Sequence, residues 1–235
     1  MSKKIYINPG HSDKDPGAVK YETERELNVK TANFMNEYLL ANYDCQTKVT
    51  KGTINSTSKV AAEANAWKAD LFVSIHNNAG GGDGYEALIY SENTKSLGKV
   101  FEKYVKAIGQ NSRGVKIRPN LVVLRDTDMP AVLNEGAFVD NKKDIADWNE
   151  DAELKKLGIA YAKATAEYLK LEKKVATPAT KPVTKRVHTV QKGDSLWSIA
   201  KKYLGNGGRY PEIVKLNGLK STILRVGLKL TIPNK

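Results

Sequence analysis

The sequence predicts an α/β domain with a substantially parallel sheet, followed by a small separate unit. Three observations predict this. Short apolar runs at residues 4–8 (KIYIN), 71–78 (LFVSIHNN) and 129–138 (MPAVLNEGAF) read as buried strands. Segments with helical spacing alternate with them. From residue 172 onward the composition changes abruptly.

In chain order, residues 4–8 form the first strand, and Pro9-Gly10-His11 with DKDPGA forms a loop rich in breakers. A helix is expected from about Glu24 to Ala41. Its apolar positions Leu27, Phe34, Met35, Tyr38 and Leu39 fall near one face, and acidic residues crowd its first turn. Residues 45–50 (CQTKVT) are expected as a strand and 57–68 as a helix leading into the strand that ends at His76. AGGGDG is a turn, YEALIY a strand, and 94–109 a helix with Leu97, Val100, Phe101, Tyr104, Val105 and Ile108 at helical spacing. LVVL (121–124) and AVLNE (131–135) read as two further strands, and 141–171 as mostly helix.

Residues 172–186 (EKKVATPATKPVTKR) carry Pro, Ala, Thr and Lys with almost nothing to bury, which is a linker signature. Residues 187–235 then read strand (VHTVQ), helix (SLWSIAKKYL), helix (YPEIVKLN) and strand (KLTIP). Trp197 is expected to pack this small core with Leu196, Ile199 and Ala200, and His188 to lie on the surface ahead of the first strand. The domains are therefore placed at 1–171 and 187–235.

The net charge of +12 is concentrated at the end of the chain. Residues 1–171 hold 24 Lys+Arg against 23 Asp+Glu, and residues 172–235 hold 14 against 3. A tail that basic suits a polyanionic partner or, more blandly, solubility. No apolar run approaches the roughly 18 residues of a membrane helix. No secretory signal is visible at the N-terminus, so synthesis in the cytoplasm and action at the wall after release are expected. Cys45 is the single cysteine, which excludes an intramolecular disulfide.

Three strand ends deliver His11, His76 and Glu135 to one edge of the predicted sheet, where ligands of open α/β sheets gather. Either histidine alone is as readily a hydrogen-bonded loop or core residue. A carboxylate at the end of an apolar strand loses hydration unless something pairs with it. A catalytic zinc takes three protein ligands and leaves a place for water. With two imidazoles available, the third ligand is a nearby carboxylate, and spacing leaves Asp13, Asp15, Glu22, Glu24 and Glu26 open.

IYINPGH, DPGA, ERELNV, SIHNNA and MPAVLNEGAFVDN, in that order, resemble the zinc-dependent N-acetylmuramoyl-L-alanine amidases of cell-wall turnover and phage lysis. The resemblance spans residues 4 to about 170. It implies a twisted mixed sheet flanked by helices, zinc held by His11, Glu24 and His76, and Glu135 as catalytic carboxylate. The reaction implied is hydrolysis of the amide between N-acetylmuramic acid and the L-alanine of the stem peptide, as in an endolysin. Two departures are visible. Ser12-Asp13 stands where the family often has a glycine pair, and Glu135-Gly136-Ala137-Phe138 where Glu, any residue, Gly, Phe is common.

VHTVQKGDSLWSIAKKYLGNGGRYPEIVKLNG with VGLKLTIP resembles a LysM domain. This implies a βααβ fold binding N-acetylglucosamine-containing glycan, with a groove around Gly193-Asp194-Ser195 and Asn217-Gly218-Leu219. Anionic wall polymers suit the positive charge. The competing readings are a wall-targeting protein without catalysis, a peptidase using Cys45 with His76, and a nucleic-acid binder. The last lacks stacking aromatics interleaved with its basic residues, so neither nucleic acid nor membrane insertion is expected.

Overall fold

The computed structural model describes residues 2–174, 186–219, 221–222 and 224–233. The chain divides into two compact units, Met1–Lys174 and Val175–Lys235. Most of the expected linker, residues 175–185, lies outside the described residues.

The first unit is built on one six-stranded sheet with strand order β2-β1-β3-β6-β4-β5. The strands are β1 (Lys3–Pro9), β2 (Cys45–Val49), β3 (Leu71–Asn78), β4 (Tyr85–Ile89), β5 (Ser112–Ile117) and β6 (Ala131–Phe138). The β2-β1-β3-β6 block is parallel, β4 runs antiparallel to β6, and β5 runs parallel to β4. The apolar runs of β1, β3 and β6 are continuous because both faces of the sheet are covered. On one face Ile5, Ile7, Val73, Ile75 and Val132 pack under α1 (Glu24–Asn42), α3 (Lys95–Ala107) and α6 (Asp151–Leu169) through Leu27, Met35, Phe101, Leu157 and Tyr161. On the other face Tyr6, Phe72, Leu88 and Leu133 meet Val60 and Ala64 of α2 (Thr57–Ala66) and Val123 and Leu124 of α4 (Val122–Arg125).

Three details differ from the sequence reading. LVVL is not a strand: residues 122–125 form the single turn α4, which lays Val123 and Leu124 onto the sheet. A four-residue apolar run has no periodicity to separate a strand from a buried helical turn. The sixth strand is instead β5, a polar edge strand that alternation of apolar residues does not reveal. Finally, β6 continues three residues past Glu135, and the 141–171 segment breaks into α5 (Lys142–Ala146) and α6.

The second unit contains β7 (Arg186–Thr189), α7 (Leu196–Leu204), a 3₁₀ turn at Gly207–Arg209, α8 (Tyr210–Leu216) and β8 (Lys229–Ile232). β7 and β8 pair antiparallel, with His188 opposite Leu230. Ser195 begins α7 with a reciprocal capping box to Ser198. Its core is Val190, Leu196, Ile199, Ala200, Leu204, Ile213, Leu230 and Ile232. Two expectations are corrected here. Trp197 is 52 % exposed and lies outside this core, because the residue before it and those two and three after it already fill the inward face of α7. His188 is buried within β7 rather than on the surface, and its Nε2 pairs with Asp194 at 2.7 Å while Nδ1 lies 3.1 Å from Tyr203 Oη.

Candidate metal centre

The parallel block carries β1 and β3 to the same edge of the sheet, and the segment after β1 returns to that edge to begin α1. His11, just beyond β1, adopts φ 67°, which turns its ring back over the edge. His76 comes from β3, and Glu24 opens α1. Glu24 Oε2 lies 2.9 Å from His11 Nε2, and Glu24 Oε1 lies 2.9 Å from His76 Nδ1. One ligand atom from each of the three lies within 4.8 Å of the others. Two glycines make the approach possible. A Cβ on Gly10 would fall 2.1 Å from the His76 ring, and one on Gly17 would fall 2.6 Å from both Glu24 Oε2 and the His11 ring.

The tertiary structure also sorts the carboxylates that spacing leaves open. Asp15 stands behind His11, its Oδ2 accepting from Nδ1 at 2.9 Å, so Nε2 is the nitrogen aimed at the centre. A carboxylate behind an imidazole fixes ring orientation and tautomer. Asp13 pairs with Arg25, Glu22 accepts from Asn149, and Glu26 is exposed. Only Glu24 is buried between the histidines. Its oxygens also accept from the backbone N–H of Ala18 at 3.0 Å and of Asn77 at 3.2 Å, and Asn28 stands one turn along α1. Burial opposes ionisation of Glu24, but the hydrogen bonds from His11 and His76 outweigh it and hold the carboxyl well below its usual range. The Glu24 hydrogen bond in turn raises His11 to about 9. A compact set of two imidazoles and one ionised carboxylate, with a carboxylate behind one ring, is a donor set that suits a zinc ion.

Glu135 lies on β6 in register with His76, one strand further along the edge. Its Oε2 is buried and has no hydrogen-bond partner among the described residues. Burial raises its pKa to about 7; His76 opposes this, while the negative charges of Glu24 and Glu86 add to it. A groove of about 340 Å³ opens beside His11 and His76, lined by Asn8, Ile54, Ser56, the Asn120–Val123 turn and Leu133 of β6.

One organising residue has no sequence signal. Asp144 is buried near the start of α5, and its carboxylate accepts from the backbone N–H of Gly84 at 2.9 Å, of Phe138 at 2.8 Å and from Gln110 Nε2 at 3.0 Å. It ties the end of β6 to the loop before β4. Asp144→Ala takes the acceptor from two buried backbone N–H groups and one of the two acceptors of Gln110 Nε2, and is expected to lower the melting temperature by about 5–10 °C. An unchanged melting curve would show that these bonds do not hold the strand end.

Cys45 is placed where it cannot serve the histidines. It is paired with Lys3 at the start of β1, whereas His76 follows the position paired with Pro9 at the other end. The thiol is buried, points at the Leu39 carbonyl, and is raised in pKa by that burial. The Cys45–His76 peptidase reading therefore fails on geometry.

In the second unit, the residues expected to bind glycan are partly committed to the fold. Asp194 accepts from the Gln191 N–H and pairs with His188. Asn217 donates to the carbonyls of Ile213 and Thr231 and accepts from the Thr231 N–H, which ties α8 to β8. Gly193 and Gly218 take positive φ at the two turns, and Leu219 packs against the core.

Comparison with known families decides the identity. Residues 5–167 match the family model of N-acetylmuramoyl-L-alanine amidase. The chain belongs to the N-acetylmuramoyl-L-alanine amidase family. Residues 188–233 match the LysM domain, so the second unit of this amidase is a LysM domain. The chain is similar to an endolysin of Bacillus phage SPP1, 32 % identical over 266 residues that cover 100 % of this chain and 97 % of that one. It is also similar to the amidase CwlM of Bacillus licheniformis, 35 % identical over 182 residues covering 74 % of this chain and 71 % of CwlM. Among solved structures, the catalytic domain of the amidase CwlV from Bacillus (Paenibacillus) polymyxa var. colistinus superposes with a TM-score of 0.68 at 29 % identity, covering 72 % of this chain and 99 % of that one. The amidase fold, with a mixed, largely parallel sheet between helices, is thus shared with enzymes of this family, and the chain is a peptidoglycan hydrolase of the amidase type joined to a LysM domain.

Proposed function

We propose that this amidase is zinc-dependent, with His11 Nε2, His76 Nδ1 and Glu24 as metal ligands and Glu135 as the proton-transferring carboxylate. The observation that carries this reading is the three-residue donor set within 4.8 Å, with a carboxylate one strand away whose Oε2 is buried and without a hydrogen-bond partner among the described residues. A zinc ion held by His11, Glu24 and His76 would supply Lewis-acid polarisation of the scissile carbonyl and would lower the pKa of bound water from about 15.7 to about 7. Glu135 Oε2 takes the proton of the attacking water and returns it to the departing amine nitrogen of L-alanine. A carboxyl whose own pKa is pushed toward 7 is suited to both halves of that transfer. Glu24 supplies the negative charge that balances the cation, and Asp15 holds His11 in the tautomer that leaves Nε2 free.

For the LysM domain we assign N-acetylglucosamine-containing glycan to the turns Gly193-Asp194-Ser195 and Asn217-Gly218-Leu219. Its excess of positive charge adds attraction to anionic wall polymers. Residues 172–186 are assigned as the tether between catalytic (1–171) and binding (187–235) domains, raising the effective wall concentration at the active site. An endolysin role at the cell wall follows from the similarity to the phage protein, with release of the enzyme from the cytoplasm as the corresponding step.

The test is digestion of purified peptidoglycan with and without a chelator, read by mass analysis. Stem peptides with a free N-terminal L-alanine, lost on chelation and restored by zinc, are expected. New sugar reducing ends would mean glycosidase chemistry, and intact wall with bound protein would leave a targeting role alone.

A further inference from the structure

The sheet edge continues beyond Glu135. β4 runs antiparallel to β6 and sets Glu86 directly beside Glu135 in register. Glu86 is 5 % exposed. Its Oε1 receives both Arg113 Nε and Lys116 Nζ from the neighbouring edge strand β5. Two cations against one carboxylate leave an excess of one positive charge. Cations on an edge strand commonly serve only to discourage pairing with another sheet. That purpose does not require a buried carboxylate beneath them, whose burial carries a desolvation cost.

Arg113 is held on two sides. Nε is anchored by Glu86, and the guanidinium carbon sits 5.2 Å from the centroid of the Phe138 ring, itself buried at the end of β6. Nη1 and Nη2 take no partner among the described residues, and the side chain is 41 % exposed. An anchored, ring-stacked guanidinium with its outer fork open is a receiver for a planar carboxylate, and little rotamer freedom remains to be lost on binding.

Its position relative to the metal centre says which carboxylate. β3 and β4 are separated by β6, so Glu86 lies two strand spacings, roughly 10 Å, from His76 along the edge. That is the span of about three extended residues. If Glu135 returns its proton to the departing amine, the amine side of the scissile bond lies over Glu135 and leads toward β5. The groove beside His11 and His76 reaches Leu133, two residues before Glu135 on the same strand.

We propose that Arg113, assisted by Lys116, binds a carboxylate of the stem peptide within the first few residues after the scissile amide, and so makes the enzyme prefer peptides with a free α-carboxylate there over their carboxamides. Glu86 acts as a positioning residue for both cations. This inference rests on the amidase reading of the same site.

The experiment uses the full-length, zinc-loaded protein. Calorimetry compares binding of the tripeptide L-alanyl-γ-D-glutamyl-L-lysine, whose second residue keeps a free α-carboxylate, with the same tripeptide bearing an α-carboxamide. Steady-state kinetics compare the corresponding N-acetylmuramoyl peptides. Wild type is expected to bind and process the free acid about tenfold or more better, with the difference in KM and not in kcat. Arg113→Gln should remove most of that preference and leave the carboxamide within about twofold of wild type. If Arg113→Gln does not fold, Arg113→Lys, which keeps the charge and loses the fork, carries the same comparison and should retain only part of the preference. Equal affinity of wild type for acid and amide, or equal weakening of both in the variant, overturns the proposal. Acid-selective binding with no cleavage of either substrate would uphold the Arg113 carboxylate site and sink the amidase reading. Cleavage without acid selectivity would do the reverse.

Discussion

Glu135→Gln is expected to lower kcat on peptidoglycan by about 10²–10⁴ while leaving one zinc per chain and an intact fold. The substitution keeps the shape of the side chain and removes its capacity to accept a proton. Glu135 Oε2 is buried without a hydrogen-bond partner among the described residues, so no hydrogen bond to that oxygen is lost in the amide. The melting temperature should therefore be unchanged or raised, a sign that separates a catalytic role from a structural one. Parallel measurement of zinc content, melting and product release decides the matter. Activity within about threefold of wild type would remove Glu135 from the mechanism. A drop in zinc content would move it into the ligand set.

The second large effect is expected at Glu24. Glu24→Ala takes away one of the three side chains proposed as ligands and the negative charge between two imidazoles. Zinc affinity should fall by more than about 100-fold, since even the partners standing behind metal ligands are worth 10–100-fold. Activity should fall with it and recover only partly at high zinc. The N–H groups of Ala18 and Asn77 lose their acceptor, so the loop 12–23 and the end of β3 should loosen as well. Glu24→Gln keeps an acceptor for one of them and should melt closer to wild type while still losing the metal. Competition with a chromophoric chelator gives the affinity, and thermal melting gives the fold. Wild-type zinc affinity in Glu24→Ala would place the ligand elsewhere, with Asp15 the nearest carboxylate to test.

These two residues also mark where sequence reading stops. Glu135 is legible in one dimension because a charged residue inside an apolar strand must have a reason. Glu24 is not: in the run from Asp13 to Glu26 five carboxylates are close enough in sequence, and their distinction is made by the turn at His11, the glycines at 10 and 17, and the start of α1. Asp15 and Asp144 are equally invisible as working residues, because each acts through a hydrogen bond to something whose position depends on the folded chain. The same holds in the LysM domain. His188 and Trp197 exchange the expected surface and core positions: Asp194 and Tyr203 pair with His188 where it is buried in the two-stranded sheet, while Leu196, Ile199 and Ala200 already fill the inward face of α7.

The sequence by itself determined the two-unit organisation of patterning, the strands β1, β3 and β6, and the delivery of His11, His76 and Glu135 to one sheet edge. Apolar runs and their polar stops are local properties, and parallel strands place equivalent stops side by side. Tertiary structure alone decided which carboxylate joins the histidines, that LVVL is a turn of helix, and that the antiparallel β4 brings Glu86, with Arg113 and Lys116 of β5, to the flank of Glu135. Strand order and direction are non-local choices, set by how the sheet is covered and closed at its edge, and no spacing along the chain encodes them.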